Sequence, residues 1–221
     1  MPSTEAPPGA KRWVPPHPQS IEELKSAAAD CHGCELYEDA TQTVFGRGAP
    51  RARMVFVGEQ PGDVEDQRGL PFVGPAGRLL REAVDDAGID PGDLYITNSV
   101  KHFRFELRGR RRVHQTPGPA HIASCRPWLV AEFALLQPEL VVLLGATAGK
   151  ALIGPSFRVT QQRGRLMPWP ASAQHPEDFP VAQIQALATI HPSAVLRADD
   201  RDTAYRGLVD DLKVAAAAIA N

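Results

Sequence analysis

Four short apolar runs alternate along this chain with segments whose apolar residues recur at helical spacing. The runs are Met54–Val57, Leu94–Thr97, Leu140–Leu144 and Ala186–Ile190. The helical segments are Ser20–Ala29, Pro75–Ala87, Pro119–Leu136, Ala146–Leu152 and about Asp199–Ile219. Continuous apolar strands separated by helices are typical of a parallel sheet that is covered on both faces. We therefore predict an α/β protein, with a single three-layer α/β/α domain around a central, mostly parallel sheet.

The chain has 221 residues, which fits one domain of ordinary size. We place that domain at residues 20–221, because Ser20-Ile21-Glu22-Glu23 has the pattern of a capping box that opens a helix. Residues 1–19 are proline-rich and show no periodicity, so we expect a flexible N-terminal extension. They contain no apolar signal-peptide core, and no run approaches the roughly 20 residues of a membrane span. We expect a cytoplasmic protein with no membrane partner.

Polar residues follow each of the four predicted strands. They are Gly58-Glu59-Gln60, then Asn98, then Gly145-Ala146-Thr147, then His191-Pro192-Ser193. The carboxyl ends of parallel strands lie at one edge of a sheet, where ligands bind. Each residue taken alone is equally typical of a helix cap or of a satisfied polar group in a core. The four strand ends together predict a site that contains a carboxylate, an amide, a glycine turn and an imidazole.

The segment Gly58–Gly77 carries five glycines and three prolines together with Glu59, Asp63, Glu65 and Asp66. This composition fixes the backbone tightly and places negative charge beside any ligand, which indicates a site more than a linker. Nucleotide-cofactor motifs are lacking. The stretch Gly145–Lys150 has the wrong spacing for a P-loop, and no G-x-G-x-x-G follows a strand.

The formal net charge is −2, so the protein as a whole does not attract nucleic acid. Arginines nevertheless crowd one segment, at Arg104, Arg108, Arg110, Arg111 and Arg112. A local basic patch is sufficient to bind phosphates. An exposed charged loop without a ligand fits the same run of residues equally well.

The three cysteines are Cys31, Cys34 and Cys125, an odd number that argues against a disulfide framework. The C-x-x-C spacing can hold one metal centre, with Cys125 as a third ligand. His102 is the first candidate for the fourth ligand, and His32 and His121 are alternatives. From the residues alone, zinc and an iron–sulfur cluster are comparable possibilities.

Several long motifs in this order resemble the iron–sulfur uracil-DNA glycosylases of the family-four type. They are GEQPGDVEDQRGLPFVGPAGRLL, YITNSVKHFRF, CRPWL, VVLLGATAGKAL and ATIHPSAVLR, and the resemblance runs from about Cys31 to the C-terminus. Three features depart from the ordinary family pattern. His102 replaces a cysteine, Gln60 replaces a small residue, and the segment Arg108–Pro117 (RGRRRVHQTP) is additional.

All three departures are similar to the X-type branch, UdgX, which carries GEQPG, KHF and a basic loop with an R-R-I-H pattern. Arg110 and Val113 stand here in place of the lysine and isoleucine of that loop. The resemblance implies an enzyme that excises uracil from DNA and becomes covalently joined through His114 to the sugar C1′ of the abasic site. Glu59 would orient the imidazole or accept its proton, and Asp63 would support the site.

The resemblance also implies roles in substrate binding. Phe72 would stack on uracil, Asn98 would read its polar edge, and His191 would stabilise the oxyanion of the departing base. The remaining substrate-binding residues implied in this way are Gly58, Gln60 and Arg112. The partner would be uracil-containing DNA, including single-stranded DNA, with free uracil as product and the protein as a monomer.

A structural 4Fe-4S cluster is implied as well, held by Cys31, Cys34, His102 and Cys125. Two other functions stay open at this point. One is a conventional, turning-over uracil-DNA glycosylase in which His114 only contacts DNA. The other is a non-catalytic nucleic-acid-binding module stabilised by a metal.

Overall fold

The computed structural model describes residues 9–171, 173 and 176–220. Eight strands are present in this part of the chain: β1 (Arg47–Gly48), β2 (Met54–Gly58), β3 (Leu94–Asn98), β4 (Phe105–Arg108), β5 (Arg111–His114), β6 (Leu140–Leu144), β7 (Leu166–Trp169) and β8 (Ile184–Thr189). Its α-helices are α1 (Ile21–Ala28), α2 (Leu36–Asp39), α3 (Asp63–Arg68), α4 (Pro75–Asp86), α5 (Pro119–Leu136), α6 (Ala146–Leu152), α7 (Val159–Gln162), α8 (Pro192–Leu196) and α9 (Arg201–Ile219).

Six strands form the central sheet in the order β1-β3-β2-β6-β8-β7. The four inner strands are the predicted apolar runs, and they are parallel to one another. The two outer strands are antiparallel to their neighbours. Pro168 lies in one of them, β7, where a missing N–H is tolerated. The prediction of a mostly parallel sheet in an α/β fold is confirmed.

Helices cover both faces of this sheet. As a result, β2 and β6 are buried along their whole length. On one face, Phe56 and Val142 pack in a cluster with residues of α4 and α9. On the other face, Val57 and Leu143 pack in a cluster with residues of α5 and α6. Alternate residues of each strand therefore belong to different cores, which makes the three layers.

The first helix begins as its capping box predicts, with Ser20 Oγ accepting a hydrogen bond from Glu23 N at 3.2 Å. Residues 1–8 of the predicted extension lie outside the described residues. The extension is described from Gly9, whose N–H donates to Gly33 O at 3.0 Å, and Ala10 is buried beside α5. No helix in the described part of the chain has the length and apolarity that a membrane span requires.

The additional segment near residue 110 forms a β-hairpin outside the central sheet. We call β4, β5 and the turn between them the hairpin. Gly109 lies in the turn with a φ of 62°, a conformation that favours glycine. Phe105 pairs with His114, and Leu107 pairs with Arg112, so these four side chains share one face of the hairpin. That face carries His114 at its base.

Candidate active site

A cavity of about 630 Å³ opens at the carboxyl ends of the four parallel strands. Each strand end contributes a lining residue: Glu59 after β2, Asn98 at the end of β3, Thr147 after β6 and His191 after β8. His114 lines the same cavity from the hairpin. The structure therefore brings together the four strand ends and the histidine of the additional segment.

One wall of the cavity is formed by Phe72 and Asn98. The Phe72 ring is buried and lies 6.0 Å, between centroids, from the ring of His191. Gly58 lies behind both, because a Cβ atom at this position would be 2.7 Å from Phe72 Cζ and would overlap Asn98 Oδ1. Asn98 Oδ1 is buried and finds no hydrogen-bond partner among the described residues. A buried acceptor of this kind is suited to a ligand that donates a hydrogen bond.

Glu59 connects the hairpin to the sheet. Its Oε1 atom lies 3.3 Å from His114 Nε2, and its Oε2 atom accepts a hydrogen bond from Thr147 Oγ1. The side chains of Glu59 and His114 are 19% and 48% exposed. Burial alone would raise the pKa of Glu59, but the contact with His114 and the hydrogen bond from Thr147 lower it overall. Glu59 is therefore a carboxylate at neutral pH.

His191 is held as a neutral imidazole in one tautomer. Its Nδ1 atom accepts a hydrogen bond from Ser193 N at 3.1 Å, so the ring proton is on Nε2. Burial lowers the pKa of His191 to about 4, with Arg197 and His114 acting in the same direction and Glu59 opposing them. The ring that lines the cavity can therefore donate one hydrogen bond without carrying a charge.

The amide of Gln60 is engaged with the base of the hairpin. Its Nε2 atom donates to the carbonyl oxygens of Arg104 and Gln115, both at 3.1 Å, and its Oε1 atom accepts from Arg104 N at 3.1 Å. Gln60 lines the cavity, but these three bonds use most of its hydrogen-bonding capacity. The structure assigns Gln60 contacts that position the hairpin in addition to any contact with substrate.

Arg112 and Asp63 lie beside the cavity and are not among its lining residues. Arg112 Nε contacts Asp63 Oδ1 at 2.5 Å, and Arg112 Nη1 contacts Asp66 Oδ2 at 2.6 Å. The guanidinium carbon also lies 5.1 Å from the ring centroid of Phe105. These contacts join the hairpin to α3, and Asp63 is connected to the hairpin through Arg112 and does not line the cavity.

The three cysteines are buried in one apolar cluster with Phe45 and Trp128. Trp128 Nε1 donates to Cys31 Sγ at 3.2 Å, and a backbone N–H donates to Cys125 Sγ at 3.3 Å. Burial raises the pKa of the Cys125 thiol to about 12 and also raises that of Cys34. Buried thiols with N–H groups directed at sulfur fit the donor set of a metal–thiolate centre.

His102 is buried and lies 2.9 Å from Thr43 Oγ1 through its Nε2 atom. The Thr43 hydroxyl donates its own proton to Ala28 O at 2.8 Å, so His102 Nε2 must be the donor in this pair. The lone pair of the ring is therefore on Nδ1, the nitrogen through which this tautomer can bind a metal.

The two alternative histidine ligands have other contacts. His121 Nε2 lies 2.6 Å from Glu35 Oε1, and its Nδ1 accepts from Gly118 N at 2.9 Å. His32 stacks on Tyr37 with 4.0 Å between ring centroids. Across residues 9–171, 173 and 176–220, no three or more His, Cys, Asp or Glu side chains are already arranged around one metal position.

Thr147, Asp66 and Arg197 were given no role of their own from the sequence, although Thr147 belongs to the predicted third strand end. Thr147 contacts Glu59, Asp66 contacts Arg112, and Arg197 lines the cavity beyond His191. Asp66 belongs to the acidic Gly58–Gly77 segment, and the composition of that segment indicated a site. The position of Thr147 after a strand was a signal as well, but its contact with Glu59 was not predictable, and Arg197 at the end of α8 carries no sequence signal.

Comparison with known proteins gives a consistent result. The model of the uracil DNA glycosylase superfamily matches residues 45–213. A protein of Thermotoga maritima named type-4 uracil-DNA glycosylase is 35% identical over 178 residues, which is 80% of this chain and 83% of that protein. Proteins of the same name from Sulfurisphaera tokodaii and Pyrobaculum aerophilum are each 32% identical, over 80% of this chain and 76% and 85% of their own lengths. The chain belongs to the uracil-DNA glycosylase superfamily.

Proposed function

We propose that this protein excises uracil from DNA and then remains covalently attached to the sugar through His114. The observation that carries the proposal is the contact of 3.3 Å between His114 Nε2 and Glu59 Oε1 at the wall of the cavity. The names of the relatives support the first half, uracil excision. The position of an exposed imidazole beside a partly buried carboxylate supports the second half.

Substrate binding requires the uracil to leave the base stack, since a paired base is out of reach. In the cavity, the Phe72 ring offers a face for stacking, and Asn98 Oδ1 is an acceptor for the N3–H group of uracil. Gly58 permits this arrangement because any side chain there would meet both residues. The pocket is therefore complementary to a flat base that carries an N–H donor.

Bond cleavage moves the electron pair of the glycosidic bond onto uracil. The Nε2–H group of neutral His191 donates to the uracil oxygen on which negative charge grows. The sugar becomes an oxocarbenium-like cation, and the nearby carboxylate of Glu59 stabilises it electrostatically. Both groups are already held by hydrogen bonds within the protein, so little reorganisation is needed.

Capture follows when a lone pair of the His114 imidazole forms a bond to C1′. The ring gains a positive charge in this step. The charge is removed when the imidazole proton passes to Glu59, or it is balanced by the Glu59 carboxylate when the two groups share the proton. An imidazole fixed beside the sugar has a large effective concentration relative to water. The resulting carbon–nitrogen bond has no good leaving group, so each protein molecule reacts once.

Arg110 and Arg111 are exposed at the tip of the hairpin, and in this proposal they bind phosphates of the DNA backbone. Arg112 differs because its guanidinium is already paired with Asp63 and Asp66. We expect added salt to weaken the contribution of Arg110 and Arg111 to DNA binding. Salt should weaken the ion pairs of Arg112 much less.

We also propose that Cys31, Cys34, Cys125 and His102 hold a 4Fe-4S cluster. When bound, the cluster would supply a cross-link between the segment that follows α1, the end of β3 and helix α5. Its role would be structural. Cys125 Sγ accepts a hydrogen bond from the backbone N–H of Lys101, three residues after Asn98, so a cluster bound to Cys125 would help to hold this part of the chain in place. Metal and sulfide analysis of the purified protein distinguishes iron–sulfur from zinc.

A denaturing gel tests the proposed function directly. The protein is incubated with a single-stranded oligonucleotide that contains one uracil, beside a thymine control and a His114→Ala variant. We expect a heat- and detergent-resistant shifted band with uracil only, lost in the variant. Alkali-cleavable abasic DNA without a shifted band would indicate a turning-over glycosylase. Reversible binding without either product would indicate a binding module.

A further inference from the structure

We infer that Thr147 is a positioning residue for covalent capture, since its hydroxyl holds the Glu59 carboxylate with one oxygen directed at His114. The inference rests on the proposed function and adds a residue from a third part of the fold. Thr147 lies in the first turn of α6, after β6, whereas Glu59 follows β2 and His114 ends β5. The three side chains meet only at the cavity.

The geometry divides the two carboxylate oxygens between two partners. Oε2 accepts from Thr147 Oγ1, and Oε1 faces His114 Nε2 at 3.3 Å. The backbone of Glu59 is fixed as well, because its carbonyl oxygen accepts from Val100 N at 3.0 Å. With the backbone held, the hydroxyl of Thr147 is the contact that selects the rotation of the carboxylate plane.

Thr147 is itself held in a defined place. The chain enters α6 through Gly145, whose N–H donates to Thr189 O at 2.9 Å, so the start of the helix is tied to β8. The β-branched side chain of threonine has few accessible χ1 rotamers. Thr147 is partly buried and lines the cavity, so its hydroxyl exchanges little with bulk water. A rigid donor of this kind keeps a carboxylate oriented.

The contact also affects the acidity of Glu59. Two titratable groups face this carboxylate, His114 on β5 and His191 before α8, and Arg197 lines the same cavity beyond His191. Burial raises the pKa of Glu59, and the contact with His114 and the hydrogen bond from Thr147 lower it. Loss of the hydroxyl should therefore raise the pKa of Glu59 and leave the carboxylate free to rotate away from His114.

The experiment compares Thr147→Val, which keeps the shape and removes the hydroxyl, with Thr147→Ser, which keeps the hydroxyl. Thr160→Val, an exposed threonine on α7, is the matched control. Each protein is mixed in excess with a uracil-containing single-stranded oligonucleotide between pH 4 and 8. Covalent adduct and free abasic DNA are measured in the same samples, and thermal unfolding is recorded for every variant.

We expect Thr147→Val to shift the products at least tenfold from adduct toward free abasic DNA. The acid limb of its adduct-forming rate should move to higher pH, while Thr147→Ser and Thr160→Val follow the wild type. In the background of Glu59→Gln, the Thr147→Val change should have little further effect, because the two residues act as one unit.

Two results would overturn the inference. One is a Thr147→Val protein with wild-type partition and pH profile. The other is a folded Thr147→Val protein that loses uracil release as strongly as adduct, which would assign the hydroxyl to bond cleavage and not to capture. If the wild type itself gives abasic DNA without adduct, the proposed function fails, and the inference fails with it. If the wild type forms the adduct and Thr147→Val forms it to the same extent, the inference fails and the proposed function stands.

Discussion

Arg112 and Asp66 form an ion pair, with 2.6 Å between Nη1 and Oδ2, although 46 positions separate them in the chain. Asp66 has no solvent exposure, and the N–H of Thr41 donates to both of its carboxylate oxygens, at 3.0 and 3.1 Å. A buried carboxylate needs such partners, since an unpaired charge inside a protein is costly. The contact therefore fixes the hairpin, and with it His114, relative to α3.

Replacement of Arg112 should separate capture from cleavage. In Arg112→Met the hairpin loses its ion pairs, so we expect adduct formation to slow about tenfold or more while uracil release falls less. Single-turnover assays that follow both products test this. Arg53→Met is a matched control, because Arg53 forms an ion pair of 2.7 Å with Glu139 at a distant position. Equal losses of both products in Arg112→Met would contradict the expectation.

Replacement of Gln60 should also reduce adduct formation, because Gln60 holds the base of the hairpin through hydrogen bonds. Gln60→Ala removes three hydrogen bonds to the backbone of Arg104 and Gln115. We expect faster amide hydrogen exchange across the hairpin and a smaller share of adduct. The control is Gln183→Ala, which removes one side-chain bond to Trp169 O away from the cavity. Unchanged exchange at the Arg104 amide would show that the hairpin is held without Gln60.

Asn98 should contribute to activity and little to stability. Its Oδ1 atom is buried without a partner in the described part of the chain, so the folded state gains no hydrogen bond from it. For Asn98→Ala we expect uracil release to fall about 10- to 200-fold, which corresponds to about 1–3 kcal/mol. The free energy of unfolding should change by less than about 1 kcal/mol. Rate measurements and urea denaturation of the same samples check both statements.

His191 should make stability depend on pH. Its pKa is about 4 in the folded protein against an ordinary value of 6.5, so the unfolded chain takes up a proton first as the pH falls. Stability should therefore be lost between about pH 6.5 and pH 4, by about 2 kcal/mol at pH 4.5. His191→Gln should lack this component, so the difference between the two proteins isolates it. If the difference in the free energy of unfolding between the wild type and His191→Gln is the same at pH 7 and pH 4.5, His191 is not the source of the pH dependence.

The sequence predicts the sheet well because its inner strands are continuous apolar runs with no competing interpretation. The structure extends β2 by Gly58 and β3 by Asn98, which places both residues at the sheet edge. The strand β7 could not be expected in the same way. It contains Pro168 and lies at an edge, where partial burial gives only a weak alternating pattern.

The hairpin illustrates what the sequence leaves open. Its arginines obscure the alternation of Phe105 and Leu107, so the segment resembles a charged loop. Its position depends on pairings across the chain, such as that of Arg112 with Asp66, and no local pattern encodes them. Thr147 shows the same limit, because its importance follows from which carboxylate it meets in space.

The three backbone bonds of Gln60 have a consequence for how such proteins diversify. A glutamine beside Glu59 is useful only where a hairpin is present to receive its amide. A chain without the hairpin would leave that amide buried and unpaired, which favours a small residue there. Position 60 and the hairpin should thus be inherited together, so a single codon beside Glu59 can indicate which relatives carry the hairpin.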